Sequence, residues 1–167
     1  MSTADVLRHH LETSANALIW AVEQMPTGRL YTLPPVVFGA FSVAQIVFYL
    51  TWLERHIALP HMRLWQDGEI DPAQMTTTRF EADWRARRAD IPELVADFRV
   101  VRGEILALLH TFDNAALQVV RSDTIWEVPV SLQWVVARTY QQTLEHTDTL
   151  MKMVLYWDMQ GGSKKDT

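Results

Sequence analysis

Hydrophobic residues recur three and four positions apart in four long stretches of this chain, which is the spacing of a buried helix face. The stretches cover residues 4–25, 43–59, 91–112 and 132–157. Alternating hydrophobic and polar positions are nearly absent, and only residues 125–130 are expected to be extended. The pattern therefore predicts an all-α fold with four main helices.

Capping residues mark where the predicted helices begin. Ser42 with Gln45 and Asp90 with Glu93 have the spacing of a capping box, in which a side chain at each end satisfies a free backbone N–H group. Ser131 is placed to cap the fourth helix. These signals are local, so they fix the helix starts independently of how the helices pack.

The connections predict how the helices are arranged. Pro60 ends or kinks the second helix, and the longest irregular stretch, residues 66–78, follows it before a short helical piece that carries Phe80 and Trp84. A connection of this length suits a crossover between the second and third helices. We expect an antiparallel four-helix bundle with that crossover, formed by a single domain over residues 1–160. Residues 161–167 are expected to be a mobile polar tail.

Composition excludes several kinds of chemistry. The 167 residues include no cysteine, which excludes a disulfide framework, a thiolate nucleophile, a cysteine-ligated zinc and an iron–sulfur cluster. The net charge of −5 leaves no broad basic surface for nucleic acid. Seven tryptophans instead indicate a core or a pocket rich in aromatic rings.

Residues 31–53 carry no charge and are long enough on paper to cross a membrane. Pro34 and Pro35 forbid one continuous helix across them, and a new capped helix begins at Ser42. The first ten residues lack the basic and apolar segments of a signal peptide. We therefore expect a cytoplasmic protein with no membrane partner.

A few polar side chains fall on the apolar faces of the helices. On a helical wheel of the fourth helix, Gln142 and His146 lie about 40° apart, beside the apolar arc and one turn from each other. Tyr49 lies on the apolar side of the second helix, with His56 two turns further along. A single inward histidine is more often a hydrogen-bonded core residue than a ligand, and a buried tyrosine usually reaches one polar partner.

The order of these segments resembles the DinB-like (DinB/YfiT-like) superfamily of helical bundles over nearly the whole chain. The resemblance lies in the capped helix F-S-V-A-Q-I-V-F-Y-L-T-W-L-E, the long helix opening I-P-E-L, and the segment S-L-Q-W-V-V-A-R-T-Y-Q-Q-T-L-E-H. Family members typically carry one histidine on the second helix and an H-x-x-x-H pair on the fourth, and these three bind a divalent metal. The resemblance assigns those positions to Tyr49, Gln142 and His146, of which only His146 is a histidine.

Two classes of function follow from this resemblance. The first is a binding or interaction protein whose Tyr49, Gln142 and His146 form a metal-free polar pocket for a small molecule. The second is an enzyme, a thiol transferase or a hydrolase, that holds zinc or nickel at the same positions. In an intermediate case, a metal site would recruit His56, Glu54 or Glu145 in place of the missing histidines. A third interpretation is a bundle that mainly forms homodimers through exposed aromatic residues.

Overall fold

Seven α-helices, one short antiparallel strand pair and several 3₁₀ or π-helical turns form the regular structure of residues 2–162, the part of the chain that the computed structural model describes. The helices are α1 (Thr3–Glu23), α2 (Val43–Leu53), α3 (Leu59–Arg63), α4 (Thr77–Ala86), α5 (Ile91–Leu109), α6 (Asn114–Gln118) and α7 (Leu132–Gly162). The strands are β1 (Val120–Arg121) and β2 (Val130–Ser131). The prediction of an all-α protein is confirmed.

Side chains cap the main helices as their sequences indicate. The Ser42 hydroxyl accepts the backbone N–H of Gln45 at 3.3 Å, and the Gln45 side chain accepts the N–H of Ser42 at 2.9 Å. Asp90 and Glu93 make the same reciprocal pair at 3.0 Å each. The Ser131 hydroxyl accepts a backbone N–H of the first turn of α7 at 3.1 Å. The starts of α2, α5 and α7 are thus set by local side chains.

Two helix ends differ from the sequence-based boundaries. Helix α2 ends at Leu53, and a π-helical turn, Glu54–Ala58, joins it to α3, so the helical run continues past Pro60 and is locally distorted there instead of ending. This wider turn leads into Pro60 near the start of α3, where a missing N–H is tolerated. Helix α7 continues past Trp157 to Gly162, so the first two residues of the predicted tail are helical. The rest of that tail, residues 163–167, lies outside the described residues.

The four long helices pack in a closed cycle. Helix α1 packs against α5 and α7, and α2 packs against the same two helices. One hydrophobic cluster joins the end of α1 to the starts of α2 and α5 and the end of α7. A second cluster joins the start of α1 to α3, the end of α5 and the start of α7. Helices α2 and α5 therefore run in the same direction, opposite to α1 and α7, and residues 64–90 cross from one end of the fold to the other.

Among the described residues, one helical run, Val36–Gln66, is long and apolar enough to span a membrane by length and composition alone. Half of its most apolar window is buried inside the fold. The core helix of a globular protein passes the same test, so this run is only weak evidence for a span.

Candidate functional site

A cleft of about 930 Å³ lies between α2, α4 and α7. Its volume is in the range of pockets that hold organic ligands of moderate size. Helix α2 forms its floor, α7 forms one wall, and α4, which belongs to the crossover segment, forms the other. The long connection after the second helix thus supplies a wall of the cleft as well as a link.

The three residues that the DinB resemblance singles out all line this cleft. Tyr49 comes from α2, while Gln142 and His146 come from successive turns of α7. The rings of Tyr49 and His146 have centroids 5.5 Å apart. Nδ1 of His146 donates to the main-chain carbonyl of Gln142 at 2.8 Å, which leaves Nε2 as the ring nitrogen that can meet a ligand.

Aromatic rings line the side of the cleft opposite to α7. Phe80 is buried at the centre, with ring centroids 5.3 Å from Tyr49, 5.5 Å from Trp52 and 5.7 Å from Phe41. Trp84 extends this surface along α4. The indole N–H of Trp52 donates to Asp83 of α4 at 3.1 Å, so Trp52 also helps to hold α4 in place. Two of the seven tryptophans, Trp52 and Trp84, thus belong to this aromatic wall.

Four charged side chains lie around the cleft, and they differ in depth. Glu81, Arg85 and Glu145 are exposed at its edge. Arg138 is half-buried, one helical turn before Gln142. Burial raises the pKa of the Tyr49 hydroxyl, and the nearby positive charge of Arg138 opposes that rise only in part. The Tyr49 phenol is therefore protonated at neutral pH and can donate a hydrogen bond.

The side chains present do not fit the divalent metal that the DinB resemblance implies. Tyr49 would have to lose its proton to become a strong ligand, which costs about 4 kcal/mol at pH 7 even for an ordinary phenol. Burial raises the pKa of Tyr49 and increases that cost. Gln142 offers a neutral amide, a weaker ligand for zinc or nickel than imidazole. Within residues 2–162, no group of three His, Cys, Asp or Glu side chains is arranged to hold an ion.

The further candidate ligands do not complete such a site either. Glu54 is 2% exposed and is paired with Arg102 in the core. His56 packs against the ring of Trp52 in a separate, smaller depression. Glu145 lines the cleft but lies at its exposed edge, where its carboxylate accepts the Gln141 amide at 2.9 Å.

Two buried polar groups were not singled out by the sequence. Arg102 donates to both Glu54 carboxylate oxygens, to the Thr143 hydroxyl at 2.8 Å and to the Ser14 hydroxyl at 3.2 Å. His61 is fully buried, with Nδ1 donating to a main-chain carbonyl and Nε2 accepting a backbone N–H. A charged residue among the apolar positions of the third long helix was the available signal for Arg102.

Comparison with protein-family models, with curated proteins and with solved structures finds no match to this chain. The function of the cleft therefore has to be argued from its own geometry and chemistry.

Proposed function

We propose that this protein binds a small organic molecule with a flat apolar group in the cleft between α2, α4 and α7, without a metal. The observation that carries the proposal is that Tyr49, Gln142 and His146 meet in one cavity opposite an aromatic wall. A cavity of this kind combines apolar contact area with a few polar groups that orient a ligand. Fold alone does not define the ligand, which depends on the side chains that line the cleft.

We also propose that the fold is a DinB-like four-helix bundle. In support, α1, α2, α5 and α7 pack in a closed cycle, and the crossover lies between the second and third of these long helices. On that fold, the family's ligand positions would be kept in place while their chemistry has changed. The binding pocket would be the space where relatives hold their metal.

The two polar residues on α7 have different roles in this proposal. Gln142 contributes a side-chain donor and acceptor, and Nε2 is the His146 ring nitrogen left for a ligand because Nδ1–H already donates to the Gln142 carbonyl. Together with the Tyr49 hydroxyl, they offer both donors and acceptors to a polar group on the ligand. The aromatic wall around Phe80 would take the flat part of the molecule.

The test uses neighbouring glutamines on α7 as a matched pair. Gln142 lines the cleft, whereas Gln141 is exposed on the outer side of the same helix. Gln142→Phe should fill part of the cavity, and Gln141→Phe makes the same change outside it. Isothermal titration calorimetry would measure binding of naphthoate, naphthamide and naphthylmethylamine, which share one flat ring system and differ in charge.

We expect the wild-type protein to bind at least one of these three compounds. Gln142→Phe should weaken that binding by about tenfold or more, and Gln141→Phe should leave it within about twofold. Circular dichroism would establish that both variants keep their helices. Absence of binding by all three compounds, or equal loss in the two variants, would contradict the proposal.

A further inference from the structure

Arg138 is the charged side chain of the cleft that acts on Tyr49. Arg138 of α7 lines the cleft, and its side chain is 37% exposed. The carboxylate nearest to it, Glu145, is 52% exposed. Among the charged residues of the cleft, Arg138 is the one whose charge opposes the rise that burial causes in the pKa of the Tyr49 phenol. The charge that acts on Tyr49 is thus positive, although two carboxylates and Arg85 also line the cleft.

The guanidinium of Arg138 is only loosely engaged by the protein. Its Nη1 lies 3.7 Å from Oε1 of Glu145, which is longer than a hydrogen bond. That same oxygen of Glu145 accepts the Gln141 amide at 2.9 Å. By comparison, Arg79 and Arg121 lie 2.9 and 2.8 Å from their carboxylate partners. Arg138 therefore keeps donors available to a ligand.

Three side chains with hydrogen-bond donors line the same cleft. Arg138 and Gln142 are one turn apart on α7, and Tyr49 faces them from α2. A guanidinium, a protonated phenol and an amide NH₂ together suit a planar group that only accepts hydrogen bonds. A carboxylate has that shape and that chemistry, and pairing with arginine makes its hydrogen bonds charge-assisted.

The aromatic wall indicates what the apolar part of the ligand is. Phe80, Trp52 and Trp84 present rings across the cleft from Arg138. A flat unsaturated ring system can pack edge-on or offset against them, which adds specific contact to the apolar area that is buried. An extended aliphatic chain would gain only the area.

We propose that the cleft selects planar aromatic carboxylates, with Arg138 as the anion-binding residue and the ring against the wall around Phe80. This inference rests on the proposed function, since it names the ligand class for the same cleft.

The experiment compares ligand charge with a charge change in the protein. Naphthoate, naphthamide and naphthylmethylamine would be titrated into wild type, Arg138→Gln and Arg88→Gln by calorimetry at one ionic strength. Arg88 is exposed and lies outside the cleft, so Arg88→Gln alters net charge equally without removing the proposed anchor. Arg138→Lys keeps the charge but loses the planar fork.

We expect wild type to bind naphthoate at least about tenfold more tightly than naphthamide, and the amine most weakly. Arg138→Gln should weaken naphthoate binding more than naphthamide binding and so remove that preference, and Arg88→Gln should behave as wild type. Arg138→Lys should retain a reduced preference, and it provides the comparison if Arg138→Gln does not fold.

The outcomes separate this inference from the proposed function. If all three compounds bind equally and Gln142→Phe still abolishes binding, the cleft is a ligand site but the carboxylate selectivity is wrong. If the preference for naphthoate survives Arg138→Gln, another group binds the anion and the assignment to Arg138 is overturned. If no compound binds, both the inference and the proposed function fail.

Discussion

Tyr49 lies where the resemblance to DinB-like bundles predicts a histidine, and the physical chemistry of that single residue favours a metal-free pocket over a metal site. Its phenol is half-buried against Phe80 and His146. Burial raises its pKa, which favours the protonated hydroxyl over the phenolate that a metal would need. A protonated phenol suits hydrogen bonding to an organic ligand.

Histidines at the three positions that the DinB resemblance implies should create a metal site in the cleft. Tyr49→His with Gln142→His would place three imidazoles on two facing helices, two of them one turn apart. We expect this variant to bind zinc at least about tenfold more tightly than wild type, because each imidazole adds a strong neutral ligand. Calorimetry after treatment with a chelator would measure it.

The matched control moves one histidine to the outer side of α7. Tyr49→His with Gln141→His contains the same residues, but Gln141 does not line the cleft. This control should bind zinc no better than the single variant Tyr49→His, which has two histidines in the cleft, at positions 49 and 146. Equal affinity of both variants would mean that the three positions do not converge. Wild-type affinity as high as that of the restored variant would mean that Tyr49 or another residue is already a ligand.

At the scale of elements, helix starts could be predicted from sequence because their signals are local. Ser42 and Asp90 bond to residues three positions away, and the chain shows that pairing directly. The π-helical turn after α2 could not be predicted, since it depends on how α2 and α3 fit against α5 and α7. The partnership of Glu54 with Arg102 likewise spans 48 positions, and no sequence spacing reveals it.

Arg102 ties four helical elements together in the core. Arg102 lies on α5 and bonds Glu54 of the π-helical turn, Ser14 and the Leu11 carbonyl of α1, and Thr143 of α7. Both side chains of the ion pair are 3% exposed. Burial raises the pKa of Glu54, and the adjacent guanidinium opposes that shift. Such a pair stabilises the fold only while both members are present.

Removing Arg102 alone should therefore be costly. Arg102→Met leaves the buried Glu54 carboxylate without its partner, and we expect a loss of about 3–5 kcal/mol in the free energy of unfolding. The double change Glu54→Leu with Arg102→Met should recover much of that loss, because no buried charge remains. Ser14 and Thr143 keep acceptors within their own helices, so they add little to the cost. Urea unfolding would measure each variant.

The control is Arg99→Met on the exposed part of the same helix. It should change the free energy of unfolding by no more than about 0.5 kcal/mol. If Arg102→Met were as mild as Arg99→Met, the pair would not be the buried network described above. If the double variant were as unstable as Arg102→Met, the loss would come from packing and not from an unpaired charge.

At the scale of the whole molecule, buried titrating groups make stability depend on pH. Burial lowers the pKa of His61 below its usual 6.5, because the charged ring would lose contact with water. Burial lowers the pKa of His56 as well. The unfolded chain then binds more protons than the folded one below about pH 6.5, so stability falls as the pH falls in that range. Glu54 acts in the opposite direction. Because its pKa is raised, its contribution to the free energy of unfolding decreases as the pH rises above 4.5.

His61 is the group through which acid should loosen the loop between the two strands. Its Nε2 accepts the N–H of Ile125 at 3.3 Å, and its ring packs 4.5 Å from that of Trp126. A protonated His61 has no lone pair left for Ile125, so protonation breaks this link.

We expect wild type to lose stability between about pH 7.5 and 5.5, with a slope of up to about 1.4 kcal/mol per pH unit for each proton involved. His61→Gln should be less stable at pH 7.5 but flatter across the range, and His110→Gln, at an exposed position, should keep the wild-type slope. Urea unfolding at a series of pH values measures all three proteins, and because Glu54 and His56 are common to them, their effects cancel in the comparison. A wild-type slope retained by His61→Gln would show that His61 does not carry the acid sensitivity.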